Sequence, residues 1–304
     1  MARMRPVRYQ SSLEDSSRWG GFAFRDGDIV ISAPSKSGTT WTQMLCALLV
    51  FQSPDLPAPL TTLSPWLDMR VRPAGEVHAH LARQTHRRFI KTHTPLDGLP
   101  DDDRVTYLAV GRDPRDVVIS LHHQGTNLRR DVIRRLVGDA ERADDGEVAA
   151  PELRDEHDFV RRWMSNDESP LVNLDSLRGV LWQHERAWSL RYQPNVVLVH
   201  YADLARDLER QMRRLANRLQ IAVPESRWHE LVAAAGFDQM RQRAVDLVPD
   251  ERLGIMRDTR SFFRAGTSGS WRRVFNDDDL AAYGERVSEL AKPDLAHWVH
   301  HGGA

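Results

Sequence analysis

Three times along this chain a short β-rich run is followed by a turn and then by an apolar stretch of helical length, and this repetition restricts the fold more than any other feature. The run at 28–33 (DIVISA) leads through a turn rich in Pro, Ser and Gly into TTWTQMLCALLVF. The run at 105–110 (VTYLAV) leads, after the Asp113-Pro114 break, into DVVISLHHQ. The run at 195–201 (NVVLVHY) leads into ADLARDLERQMRRLANRL, where Leu204, Leu208, Met212, Leu215 and Leu219 share one helical face. Strands that alternate with helices predict a mainly parallel central sheet flanked by helices, an α/β fold. Such sheets take their ligands beyond the carboxyl ends of the strands, where each of these turns falls. The length of 304 residues suits one domain over 1–304, and 41% hydrophobic content is enough for its core. From 125 to 175 the chain is charged and poorly periodic, which fits either a solvated, mobile excursion or a lid over the ligand.

Charge and composition exclude several classes. With 42 Lys plus Arg against 43 Asp plus Glu the formal charge is −1, so no uniformly basic face is expected to hold a nucleic acid. No apolar run has the roughly 18–20 residues a membrane-spanning helix needs, and the polar opening lacks a signal-peptide core. Cys46 is the single cysteine, which rules out an intramolecular disulfide and predicts a cytoplasmic protein. Histidine pairs occur at His78 and His80, His122 and His123, and His300 and His301, but none has a carboxylate or third ligand at recognisable spacing, so no metal is expected.

The strongest chemical signal is the loop Pro34-Ser35-Lys36-Ser37-Gly38-Thr39-Thr40-Trp41. Small residues let backbone N–H groups close around an anion, and the following helix adds the positive end of its dipole. Lys36, Ser37, Thr39 and Thr40 add charge and donors. It is P-loop-like without being a Walker A loop, because Lys36 precedes Gly38 instead of following the last glycine. The lysine is notable in itself: only Lys36, Lys91 and Lys292 are lysines among the 42 basic residues, leaving 39 arginines.

Further motifs follow in order: Lys91-Thr92-His93-Thr94-Pro95; Tyr107 to Val117 with Ser120 beyond; Trp182 and His184; Tyr201; Phe237 and Met240; and Phe263-Arg264-Ala265-Gly266 running on to Trp271. On these motifs, which span about residues 34 to 271, the chain resembles the cytosolic-type sulfotransferases, enzymes that use 3′-phosphoadenosine-5′-phosphosulfate (PAPS) and release 3′-phosphoadenosine-5′-phosphate (PAP). The resemblance implies sulfuryl transfer to a hydroxyl of a small phenol, alcohol or lipid-like acceptor, without a metal. It implies His93 as general base, Lys36 and Lys91 around the transferring group, Arg112 and Ser120 at the 3′-phosphate with Arg264 completing the clamp, and Trp41, Tyr201 and Phe237 around the adenine. Acceptor-side candidates are Phe24, Trp66, Met69 and His122. Three departures stand out: Ala235-Gly236 lacks the family's hydroxyl contact, Ala265 replaces its lysine beside the 3′-phosphate, and RRVFNDDDL after Trp271 does not match its dimer segment, so monomer or homodimer stays open. The alternatives are a P-loop phosphotransferase using ATP, which would need a metal-binding carboxylate after a second strand, and a catalytically silent nucleotide-binding protein.

Overall fold

Ile29–Ser32 (β1) is buried on both faces, as a strand at the centre of a covered parallel sheet must be. The computed structural model describes residues 5–138, 155–247, 253–258, 260–263 and 266–303. Among them, β1 lies between Phe89–Thr92 (β2) and Thr106–Gly111 (β3), and Val196–His200 (β4) pairs with the outer side of β3. All three pairings are parallel, with Ile31 opposite Lys91 and Leu108, and Ala109 opposite Leu198.

Side chains alternate across the sheet with period two and feed two separate cores. Val30, Ile90, Tyr107 and Leu198 join one core, beneath the helices Pro114–Asn127, Leu177–Ser189 and Pro293–His301. Ile29, Ile31, Leu108, Val197 and Val199 join the other, beneath Thr39–Phe51, Leu208–Arg218 and Trp228–Ala235. The chain thus forms one α/β domain, as the alternating pattern predicts.

Two elements differ from the sequence reading. β2 is a fourth strand that hydropathy does not announce, because its four residues, FIKT, include a buried lysine and a buried threonine. The long helix expected after β4 is two helices, Tyr201–Arg206 and Leu208–Arg218; Asp207 interrupts them and accepts a hydrogen bond from the Arg210 N–H at 3.1 Å, capping the second. Leu204, Met212, Leu215 and Leu219 are nonetheless all buried on one side.

The order β2-β1-β3-β4 creates a switch point: from β1 the chain passes first to one neighbour and then to the other. A crevice therefore opens beyond the carboxyl ends of β1 and β3, where the loop at Lys36 meets Arg112. Of the stretch 125–175, residues 125–138 and 155–175 are described, and they contribute Leu128, Ile133, Phe159, Asn173 and Asp175 to the wall of this cavity. The remainder, 139–154, lies outside the described residues.

Candidate active site

The loop after β1 is shaped by two left-handed residues. Gly38 has φ +102°, and a Cβ there would stand 3.0 Å from the Tyr201 ring, so glycine supplies both the backbone conformation and the space. Lys36 takes φ +63°, unusual for a side chain other than glycine, and Arg112 Nη1 donates to the Lys36 carbonyl at 2.8 Å, holding the turn. Gly38 is also the N-cap of Thr39–Phe51 and contributes no side-chain cap. The first N–H groups of that helix consequently point into the loop with the positive end of the helix dipole behind them.

Around the loop lies a cavity of about 500 Å³. It brings together Lys36, Gly38, Thr39, Thr40 and Trp41 from the first motif with Lys91 and His93 from the end of β2. Arg112 and Ser120 reach it from beyond β3. Tyr201, Phe237, Met240, Phe263 and Gly266 come from the last third of the chain, and Trp66 and Met69 from the segment before β2. Residues separated by up to 230 positions thus share one wall, as the ordered motifs predict. Arg264 and Ala265 lie outside the described residues.

Three expected residues are placed elsewhere. Ser37 is fully buried and off the cavity wall, and its Oγ has no hydrogen-bond partner among the described residues. Phe24 packs into the core, stacked 6.0 Å from Trp19 and edge-on at 5.2 Å to Phe22, so it is no part of an acceptor pocket. His122 follows Ser120 by two residues, about 200° further round the same helix, and so does not line the cavity but packs behind its wall, against Phe159 and Glu156. That contact also corrects the sequence reading of the His122 and His123 pair: Glu156 supplies the carboxylate, 33 residues further on, where no spacing rule would look.

His93 is fixed in one orientation by its neighbours. Its Nδ1 lies 2.6 Å from the Ala33 carbonyl, and since a carbonyl only accepts, Nδ1 carries the proton and Nε2 keeps the lone pair. The Trp66 ring meets the imidazole edge-on at 4.6 Å. Burial, then the nearby Lys91, lowers its pKa to about 3, so the ring is neutral at physiological pH. The backbone on either side is braced by Asp68, buried beneath β2, which accepts from the hydroxyl of Thr92, from that of Thr94 at 2.5 Å and from Trp19 Nε1 at 3.4 Å. Burial raises the Asp68 pKa.

Two ammonium groups approach from either side. The Lys91 Nζ sits 3.7 Å above the Trp66 ring, and the Lys36 Nζ 4.1 Å above that of Phe262. Burial, reinforced by Arg112 and Lys91, lowers the Lys36 pKa to about 7. The Arg112 guanidinium lies 4.3 Å over Tyr201, its Nε buried without a hydrogen-bond partner among the described residues. Trp41 Nε1 donates to the Ala235 carbonyl at 2.9 Å, which fixes its ring 5.1 Å from Tyr201. Gly266, at φ +63°, leaves room for Phe237, whose ring atoms a Cβ would meet at 2.4 Å.

Sequence reasoning missed the acids. Glu14 and Asp175 line the cavity, and burial raises the pKa of both, Glu14 well above the ordinary carboxylate range. Neither sits in a motif; only the fold carries residue 14 and residue 175 to one wall. The other motif histidine, His184, has a structural place: it is buried with its ring edge-on 5.5 Å from Trp298.

The sulfotransferase domain profile matches residues 26–293. A glycolipid sulfotransferase of Mycobacterium bovis is 44% identical over 310 residues, covering 97% of this chain and 94% of the relative. A luciferin sulfotransferase of Photinus pyralis is 25% identical over 294 residues, 87% of this chain and 71% of its own. Among solved structures, a retinol dehydratase in complex with androsterone and inactive cofactor PAP superposes with TM-score 0.67 at 21% identity, over 92% of this chain and 86% of that one. A mouse sulfotransferase complexed with PAP gives 0.65 at 18% identity, over 93% and 92%. With the profile spanning nearly all of the domain and a relative at 44% identity along almost its whole length, the chain belongs to the sulfotransferase family.

Proposed function

We propose that this sulfotransferase uses PAPS as donor and a hydroxyl of a glycolipid-like molecule as acceptor, with His93 as the general base. The carrying observation is the convergence of an oriented, neutral His93 with Lys36 and Lys91 at a helix N-terminus that lacks a side-chain cap. The site fits a polyanionic nucleotide: the first-turn N–H groups and the buried Nε of Arg112 are donors that phosphate oxygens would satisfy. On this reading Arg112 and Ser120 hold the 3′-phosphate with Arg264, while Trp41, Tyr201 and Phe237 flank the adenine.

When bound, PAPS supplies an electrophilic sulfur and leaves as PAP. The protein's own residues do the rest. His93 Nε2 takes the acceptor's hydroxyl proton as the new O–S bond forms and the S–O bond to the 5′-phosphate breaks. The Lys36 ammonium faces the charge growing on the leaving oxygen, and Lys91 faces the transferring group. An ATP phosphotransferase is disfavoured because the loop order is not Walker A and the carboxylates that follow β3 are engaged elsewhere, Asp113 by the Arg115 guanidinium and Asp116 by the Gly269 N–H.

Proton linkage gives a direct check. An anionic nucleotide favours the ammonium form of Lys36 and raises its pKa from about 7, so binding at pH 7.5 takes up a proton. Affinity then falls as pH rises above 7, by up to about tenfold per unit, because deprotonation must be reversed for each molecule bound. Calorimetric titration with PAP in buffers of different ionisation enthalpy is expected to show uptake of roughly half a proton or more. Heats independent of the buffer would remove Lys36 from the anion site.

For the acceptor, the cavity presents two chemistries. Glu14, Asn173, Asp175 and Ser35 form a polar wall that continues with His93 into a side crevice of about 90 Å³. Leu121, Leu128, Ile133, Phe159 and Met256 form an apolar wall that does not reach that crevice. Sugar hydroxyls against the first and an alkyl chain along the second describe a glycolipid, the acceptor class named for the mycobacterial relative. The described parts of 125–175 then act as the acceptor's cover. The single, buried Cys46 is consistent with work in a reducing cytoplasm. Labelled PAPS offered with a glycosylated lipid, its free lipid alcohol and its free sugar is expected to favour the first by at least about tenfold in kcat/KM, the effect of losing one or two buried hydrogen bonds or an apolar tail. A simple phenol turned over equally well would sink the glycolipid assignment, and no transfer to any acceptor would sink the donor.

A further inference from the structure

We propose that His122, His123 and Glu156 form a binding site for a divalent transition-metal ion, outside the cavity and independent of the sulfuryl-transfer reading. His122 and His123 lie on the helix Pro114–Asn127, and Glu156 opens the helix Glu156–Ser165 that packs against it. Glu156 Oε1 stands 3.6 Å from His122 Nδ1 and 3.3 Å from His123 Nε2, and all three ligand atoms lie within 4.8 Å of one another. Tetrahedral coordination with bonds of 2.0–2.1 Å separates neighbouring donor atoms by about 3.3 Å. Two of the three edges are therefore at or near the length a bound ion would set, and the third, between the two imidazole nitrogens, is no longer than 4.8 Å. The His122 ring is buried and held 5.2 Å from Phe159 and Glu156 Oε1 is itself buried, so two ligand atoms are enclosed, while the partly exposed His123 ring is the side from which an ion would arrive.

Donor chemistry selects the ion. Two imidazole nitrogens and one carboxylate oxygen suit Zn²⁺, Co²⁺ or Ni²⁺, whereas Mg²⁺ and Ca²⁺ prefer oxygen shells. Three protein ligands leave at least one position for water. A bound ion would also join two cavity walls, since the first helix carries Ser120 and the second carries Phe159. The competing reading is an imidazole–carboxylate pair that needs no metal.

The test uses the full chain, stripped with a chelator and titrated with Co²⁺ while its visible absorption is followed. One equivalent is expected to bind with the intense bands of low-symmetry, four-coordinate cobalt, to be displaced by Zn²⁺ and to resist excess Mg²⁺. At a hundredfold excess over Kd, Zn²⁺ is expected to raise Tm by about 5 °C. Glu156→Gln and His123→Ala, at partly exposed positions, are each expected to weaken Co²⁺ by at least about tenfold. His301→Ala, in the C-terminal histidine group, is expected to leave it unchanged. Circular dichroism and the metal-free Tm show that each variant is folded, and if one is not, the other and the cobalt spectrum still decide. Absence of saturable Co²⁺ binding, displacement by Mg²⁺, or binding unaffected by both ligand variants would overturn the site.

Discussion

Replacing His93 by alanine is expected to lower kcat by about 10³-fold while the Kd for PAP changes by less than about threefold, since general-base catalysis typically contributes 10²- to 10⁴-fold. The separation follows from geometry. His93 spends Nδ1 on the Ala33 carbonyl at the end of β1 and offers only Nε2 to the cavity, so no phosphate contact is lost with the ring. A neutral ring is needed for the role, and burial beside Lys91 keeps it neutral by lowering the pKa to about 3. The sign fixes the pH behaviour: a lowered pKa means that protonation, and with it loss of the base, sets in only well below the ordinary histidine range. The acid limb of kcat/KM near pH 6.5 that an ordinary histidine base would impose is therefore expected to be missing. Steady-state kinetics of the purified variant with PAPS and the best acceptor measure the first effect, and equilibrium binding of PAP the second. A variant that keeps more than a tenth of the wild-type rate would remove His93 as the base.

The second large effect is expected from Lys36→Arg, a substitution that preserves the charge. Removing a donor aimed at developing charge costs about 10²- to 10³-fold in kcat, and we expect this variant to fall in that range although a cation remains. Lys36 holds a left-handed backbone conformation, its Nζ rests on Phe262 and its carbonyl accepts from Arg112, so the space around it is shaped for a compact ammonium on a flexible stem. A planar guanidinium is larger and prefers fixed, forked contacts. Because arginine does not lose its proton in this range, the variant is also expected to abolish the proton uptake that accompanies PAP binding. The two readouts are separate: near-normal turnover would refute the role at the leaving oxygen, and persistent uptake would assign the linked proton to another group.

Much of this arrangement was legible before folding. The alternation of β-rich runs, turns and apolar stretches predicted the parallel sheet, and three of the four strands were placed to within a residue or two. The ordered motifs named most of the residues that line the cavity around the Lys36 loop, because a backbone loop and the residue following a strand are local features that a short sequence specifies. β2 escaped because the strand ends in the motif itself: Lys91 and Thr92 are buried polar residues, and they break the apolar pattern by which a buried strand is read.

The acceptor side was much less legible. Trp66 and Met69 do line the cavity, but Phe24 belongs to an aromatic core with Trp19 and Phe22, and His122 is buried behind the cavity wall against Phe159 and Glu156. Glu14 and Asp175, which line the cavity, and Asp68, which braces the backbone around His93, lie in no motif. Nor could spacing link His122 and His123 to Glu156, since the packing of two helices makes that contact.

The sequence by itself determined three of the four strands, the glycine-containing loop after β1 and the motifs whose residues are proposed to surround the transfer, because each of these is read from residues within a few positions of one another. The tertiary structure alone decided which nitrogen of His93 is basic, how far Lys36 is pushed toward neutrality and which acids reach the acceptor wall. Those properties arise from burial and from neighbours distant along the chain, and desolvation has no signature in a linear string of residues.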